Sequence, residues 1–398
     1  MAKLATPFFI IRFGKVKERS LGNFCNDLDL SQFLISREKL DRKAINLWFF
    51  LGPDISNEFI YSTVKNKLLV LPKWLGLPIW NHCFINRNFN KHIIPFYDLQ
   101  NYRIQPIDKV ADEEFWRNYV QSEGLSALLD SDSAETESLF ENLKLEPKKI
   151  VVMHFRDSFY KSVVLEKRGV GQQKIESMSG RSAIRNTDFR KLTKSSMFLK
   201  DEGFSSVRLG KFSQPIDDLE LSPLINYSNS IHRTDKNDVL LMKSACFFVG
   251  GFSGLCELAR WLRKPIFLID IGEIKSFFGR IEIIDSVVIV LPKVIKRKFD
   301  DKILNFSEIL ETGILQMELR EFRNFLNHSD CPITMSQNDD LDILETIKLG
   351  TNFLDKKIVS QTVLSGKKAY LELFKSHSLE TTPILSPFWP NLKVTPFD

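Results

Sequence analysis

In the second half of the chain, five short apolar runs, Ile150 to His154, Ser206 to Leu209, Cys246 to Gly250, Pro265 to Asp270 and Val287 to Leu291, are separated by stretches of helical periodicity. Runs of this length and apolarity suit strands buried on both faces, and the segments between them leave room for crossover helices. A parallel sheet is therefore predicted. The first half alternates in the same way. Phe8 to Phe13, Ala44 to Leu51 and Leu68 to Leu71 read as strands, with Ile93 to Phe96 as a further one. Leu28, Leu30, Phe33 and Leu34 recur at helical spacing, and helices are expected over Asn57 to Asn66, capped by Ser56, and over Asp112 to Ser122. The fold class expected is α/β.

A chain of 398 residues has room for two or three domains. The acids Asp130, Asp132, Glu135, Glu137 and Glu141 give way to Pro147-Lys148-Lys149, which sets a boundary near Glu146. The same stretch also reads as an amphipathic helix on Leu139, Phe140 and Leu143 leading into the second domain. We expect a Rossmann-like domain over 1–146, a second over 147–330, and a helical extension and tail over 331–398. Two such domains facing each other across a cleft suit a nucleotide-bearing ligand.

Composition excludes several classes. The net charge of +5 is too small to demand nucleic acid, and no apolar run is long enough to span a membrane. The five cysteines are odd in number and contain no C-x-x-C pair, which argues against zinc or dithiol chemistry and for a reducing, cytoplasmic setting. The many phenylalanines sit in strand-like and amphipathic runs and read as core.

The densest chemical signal runs from Asp238 to Asp270 as helix, strand, turn, helix, strand. Its turn, Gly250-Gly251-Phe252-Ser253-Gly254, puts helix-start N–H groups and the Ser253 hydroxyl at the carboxyl edge of the sheet, a geometry suited to phosphate, or simply reverses the chain. His154-Phe155-Arg156-Asp157 follows another strand at the same edge. Arg156 is suited to fork onto a diphosphate, or pairs with Asp157. His154 reads as a base, a ligand-facing donor or a buried histidine. In Arg185-Asn186-Thr187-Asp188 and Arg233-Thr234-Asp235-Lys236-Asn237-Asp238, the plainer reading makes Asp188 and Thr234 N-caps. Glu257 either accepts from a ribose or complements the helix dipole. The triplets Asp27-Leu28-Asp29, Asp130-Ser131-Asp132 and Asp340-Leu341-Asp342 do not end apolar strands, so no metal and no other cofactor is expected. Walker A, G-x-S-x-G, H-E-x-x-H and G-x-G-x-x-G motifs do not occur.

Together, His154-Phe-Arg-Asp, Arg185-Asn186, Val207-Arg208-Leu209-Gly210, Arg233-Thr234-Asp235, Cys246-Phe247-Phe248 and Ser253-Gly254-Leu255 with Pro265 resemble a family of bacterial glycosyltransferases associated with surface-polysaccharide synthesis. The resemblance extends from about Phe8 to Leu310. More distantly, the H-x-R strand end is similar to that of GDP-fucose-dependent fucosyltransferases. This resemblance implies the metal-independent GT-B architecture, with the donor in the second domain and the acceptor at the first. It gives Arg156 and Ser253 the diphosphate and groups Arg208, Arg233, Asp235, Gly254, Leu255 and Glu257 with them. Gly22, Asn23 and Asp27 fall on the acceptor side. Where the family pattern calls for a histidine or similar residue after the N-terminal glycine, this chain has Asn23, which is no base; Asp157, His154 and Asp27 are the candidates, in that order.

The activity expected is transfer of a hexose-like sugar from a nucleoside diphosphate to a saccharide or lipid-linked saccharide. The alternatives are a GT-B-like epimerase or hydrolase and a non-catalytic nucleotide-sugar binder. Lys293 to Lys298, with Trp74, Leu75, Leu77, Ile79 and Trp80, suggest peripheral membrane contact, against which stands ordinary burial of the aromatics.

Overall fold

A computed structural model describes residues 10–38, 43–52, 54–98, 103–106, 109–110, 113–123, 129, 133–173, 175–176, 183–272, 287–317, 319–356 and 384–393. Asp130 and Asp132, the residues before Ile10, and most of the C-terminal tail lie outside them. The chain is α/β and folds as two compact units.

The first unit is built on a parallel sheet of β1 (Ile10–Val16), β2 (Ala44–Phe50) and β3 (Leu69–Val70), in that order. Helix α1 (Leu21–Arg37) follows β1 and buries Phe24, Cys25, Leu28, Phe33 and Leu34. Helix α2 (Glu58–Lys67) is capped by Asn57, whose side chain accepts from Ile60 N–H at 2.9 Å. Ser56, the expected cap, instead donates to the Glu18 carbonyl at 2.7 Å. Helix α3 (Lys73–Ile85) lies so close to β2 that a Cβ on Gly76 would come within 2.6 Å of the Phe49 ring. The run at Ile93 enters as a bridge to Phe13, followed by an antiparallel sheet of β4 (Phe96–Asp98), β5 (Arg103–Gln105) and β6 (Lys109–Val110). Helix α4 (Glu113–Gln121) contributes the fully buried Tyr119.

The second unit holds an all-parallel six-stranded sheet of β7 (Ile150–His154), β8 (Ser205–Arg208), β9 (Phe247–Gly250), β10 (Ile266–Ile271), β11 (Val287–Pro292) and β14 (Ile384–Leu385). In space the order is β14-β11-β10-β9-β7-β8. The five apolar runs are thus its five long strands, and their side chains are buried because helices cover both faces of such a sheet.

The division is not linear along the chain. Thr234–Leu240 and Glu257–Arg263 fold with the first unit, and the main break falls between Thr136 and Glu137, within the helix Ser133–Leu143. The reason is polar. Asn57 and the Glu58 N–H donate to the carbonyl and carboxylate of Asp235, both at 3.0 Å, while Arg263 pairs with the fully buried Asp29 at 2.9 Å. The described residues of the expected extension, 331–356 and 384–393, fold within the second unit. Within the second unit β13 (Ile333–Ser336) pairs with β12 (Val294–Arg297), β14 extends the main sheet, and buried Trp389 donates to the Lys293 carbonyl at 3.0 Å. The helix Asp340–Lys356 supplies its helical part, with Gly350 against the Phe267 ring.

Candidate functional site

Winding of the second unit changes direction at β7. The next strand, β8, lies on one side of β7, and β9 then lands on the other, so the carboxyl ends of β7 and β9 flank the point where the strand order reverses. In open parallel sheets such a point leaves a crevice in which crossing loops diverge. His154 and Gly250 are partners there, and Gly251 N–H donates to the His154 carbonyl at 3.1 Å. Arg156 lies two residues beyond β7 and Ser253 three beyond β9, so the two groups picked out in the sequence belong to one edge of one sheet.

Ser253 Oγ accepts from Cys256 N–H at 3.3 Å and caps the eight-residue helix Gly254–Trp261, whose first turn begins at Gly254 and Leu255. Arg156 is held through its backbone: it bridges Asn186, and its carbonyl accepts from Thr187 N–H at 3.1 Å. The segment Ile184 to Thr187 then runs along the strand ends. Ile184 lies against Gly272 beyond β10, and the Asn186 carbonyl accepts from Lys293 Nζ at 3.0 Å beyond β11.

Two expected residues at this edge are committed to structure. Asp157 accepts from Phe159 N–H at 3.0 Å, Tyr160 N–H at 3.3 Å and Gln214 N–H at 2.9 Å. With three N–H donors on its oxygens and Arg208 at 4.0 Å, this carboxylate has few lone pairs left for a substrate proton. Arg208 is 2% exposed; it donates to Asn226 Oδ1 at 3.1 Å and the Gln214 carbonyl at 2.9 Å, and its guanidinium sits over the Phe189 ring. Burial holds its pKa below the usual range. Its role is to fasten the loop after β8.

His154 donates from Nδ1 to the Leu209 carbonyl at 2.9 Å, which fixes the tautomer and leaves Nε2 an acceptor. Burial pushes its pKa down to about 4, so the ring is neutral at neutral pH and a weak base.

Further expected residues are engaged in pairs of their own. Asp235 is taken up by α2, and Glu257, in the first turn of the helix after Ser253, pairs with Arg260 at 3.0 Å. Arg233 lies in the turn before the helix Asp235–Ser244, its N–H bonded to the Ser230 carbonyl. Thr234 Oγ1 accepts from Asn237 N–H and Asp188 from Arg190 N–H, both at 3.0 Å, so the two capping readings hold.

On the first unit, Gly22 and Asn23 occupy the first turn of α1 rather than a loop. Asp27, one turn further on, lies 3.9 Å from Lys17 Nζ. Burial raises its pKa to about 6 against the pull of Lys17 and Lys15. Asp29 faces a wholly internal cluster in which Tyr119 donates to its carboxylate, Arg260 reaches Tyr119 and Asn26, and Arg263 closes the ring.

Lys293 does not belong to an exposed basic run, as its neighbours in the sequence suggest. It is 4% exposed, bonded to Asn186 and 4.0 Å from Asp270, and burial lowers its pKa. Its position directly after an apolar strand is the sequence signal that marks it. Beside it lies a cavity of about 500 Å³ lined by Asn186, Lys293, Lys298, Arg323, Ser336 and Gln337. Among the described residues no cluster of three or more His, Cys, Asp or Glu side chains converges on one point; Asp340 and Asp342 lie in the first turn of their helix.

No protein-family model matches the chain, and no curated protein matches it. Among solved structures it is similar to the Escherichia coli ADP-heptose LPS heptosyltransferase II, at 11% identity over 65% of this chain and 84% of that one, with a TM-score of 0.35. A glycosyl transferase family 9 structure from Veillonella parvula DSM 2008 matches at 9% identity, 66% and 81% coverage and the same score. The Staphylococcus aureus MnaA–UDP structure matches at 9% identity, 92% and 98% coverage and a TM-score of 0.32. Likenesses this faint assign no role to any residue, and the roles of Arg156, Ser253 and Asp27 have to be reasoned from their own surroundings.

Proposed function

We propose that the protein is a glycosyltransferase of the GT-B type, that its second unit holds the diphosphate of a nucleoside diphosphate sugar at the carboxyl ends of β7 and β9, and that the first unit receives a saccharide or lipid-linked saccharide of a surface polysaccharide. The observation that carries this reading is the placement of Arg156 and the Ser253-capped helix start on either side of the strand-order reversal. As the bond between the sugar and the diphosphate lengthens, negative charge grows on the leaving oxygen. A guanidinium and helix-start N–H groups fixed beforehand stabilise that charge without reorganising. The acceptor hydroxyl must lose a proton; Asp27, whose pKa burial raises to about 6, suits a general base better than Asp157, whose oxygens already accept three N–H donors, or the weakly basic His154.

The test is thermal-shift titration with UDP, GDP, CDP and ADP, followed by transfer assays with the nucleotide that stabilises. Arg156→Ala should remove most of the shift and lower turnover by about 10²–10³ while leaving the unliganded melting point in place. Undiminished transfer by that variant defeats the assignment. A second reading, a binder without turnover, is favoured by the structural commitment of Asp157. It is distinguished by a nucleotide-induced shift with no sugar released or transferred in any acceptor mixture.

A further inference from the structure

We infer that helix α3 and the strand before it form a docking surface for an anionic lipid bilayer. The helix is apolar on two opposite faces. Gly76, Trp80 and Cys83, at i, i+4 and i+7, are buried, with Trp80 and Cys83 in a core shared with Phe13, Phe49 and Ile93. Trp74, Pro78, Asn81 and Ile85, at i, i+4, i+7 and i+11, form the opposite stripe and are all exposed. Trp74 is 76% and Ile85 78% exposed, and Leu75 and Phe84 flank them in the open. Leu69, 60% exposed on edge strand β3, stands a few residues before the helix. A helix that is apolar all round normally sits wholly inside a protein. This one leaves one face in water.

The partner is identified by charge. From Phe59 to Tyr97 the sequence contains no Asp or Glu, in a chain that has 50 of them, while it contains Lys65, Lys67, Lys73, Arg87 and Lys91. Lys65, Lys67, Lys73 and Lys91 are exposed. Exposed tryptophan and aliphatic side chains in a segment that carries lysines and no carboxylate of its own match an interface in which apolar groups enter the acyl boundary and ammonium groups meet anionic headgroups. The surface differs from the one the sequence suggests. Lys293 and Trp80 are internal, and Leu77 and Ile79 pack partly against the core, so the exposed set is Leu69, Trp74, Leu75, Phe84 and Ile85 with the four lysines. No helix among the described residues is long and apolar enough to cross a membrane, so the contact is with its surface. This inference does not rest on the proposed transfer reaction.

The test is co-sedimentation of the full chain with vesicles of phosphatidylcholine and phosphatidylserine, and with phosphatidylcholine alone. Binding is expected only to the anionic vesicles and should weaken as salt rises. Trp74→Ser with Ile85→Ser should lower the partition coefficient about tenfold or more, and each of Lys65→Gln, Lys73→Gln and Lys91→Gln about fivefold. Leu219→Ser with Ile231→Ser, which removes exposed apolar groups from the second unit, should change nothing. These are surface positions, and unchanged melting points would confirm that the variants fold. Failure to pellet with anionic vesicles at low salt overturns the inference, as does equal binding to phosphatidylcholine alone or by the Trp74/Ile85 variant. A concentration-dependent dimer that this variant abolishes, without vesicle binding, would assign the face to a second copy of the chain and overturn it equally.

Discussion

His154 and Gly250 face each other across the ends of β7 and β9 with no space for a side chain between them: a Cβ on Gly250 would collide with the His154 carbonyl. Because the obstacle is backbone, it cannot swing aside. Gly250→Ala should destabilise the protein by about 1–3 kcal/mol, read as a lower urea midpoint with an unchanged slope, and should weaken nucleotide binding by spreading the two strand ends. A fully stable variant would mean that the strands separate more easily than their pairing implies.

Asp27 makes stability depend on pH in an unusual direction. Its folded pKa of about 6 lies above the unfolded value, so between about pH 4 and 6 the unfolded chain has lost a proton that the folded chain still holds. Stability from this group is therefore full at acid pH and declines as pH rises through 6. Asp27→Asn should remove that decline and stabilise the protein at pH 7 by about 1–3 kcal/mol, with the advantage vanishing below pH 4. If Asp27 is also the base, the same variant loses transfer activity while gaining stability.

The sign for His154 is opposite. Its folded pKa of about 4 lies below the unfolded value, so as pH falls through 6.5 the unfolded chain takes up a proton that the folded chain refuses until about 4. Stability falls with acidification across that window. Chemical unfolding followed against pH should show a steeper rise between pH 4 and 6 in Asp27→Asn than in the parent, because the opposing slope is gone. The His154 ring signals should not titrate above about pH 5 in NMR spectra.

Arg263 donates to the fully buried Asp29 and also to the carbonyls of Tyr119 and Ser122. Arg263→Met keeps the volume and removes the charge, leaving Asp29 with less compensation. A loss of about 3 kcal/mol is expected, and Asp29→Asn in the same chain should recover part of it. Strict additivity in that double-mutant cycle would show that the two groups do not act together.

Strands were legible in the sequence where burial is two-sided. Ile150 to Met153 and Val287 to Leu291 are apolar throughout because helices cover both faces, and that leaves a local record. The edge bearing Arg156 and Ser253 could be read for the same reason, since parallel strands put their carboxyl ends together. What could not be read were the long-range uses of charge. Asp235 looks like a ligand-facing acid in the sequence because its neighbours there are a turn and a helix start, whereas the Glu58 N–H, far away in the chain, claims its carboxylate in space. Arg208 reads as a donor-site cation and Lys293 as part of a membrane-facing basic run until the loops they fasten are in place. Pairings between residues far apart in the chain leave no periodicity by which to find them.

The ring of charge around Asp29 bears on how such a chain could be cut or recombined. Everything up to Thr136 resembles a module ready to be lifted out, but two of the cations that neutralise its interior, Arg260 and Arg263, are encoded more than a hundred residues later. A fragment ending at the first boundary would carry a carboxylate sealed in hydrocarbon without its guanidinium partners. Swapping that half between relatives would succeed only if the distant segment Glu257–Arg263 travelled with it.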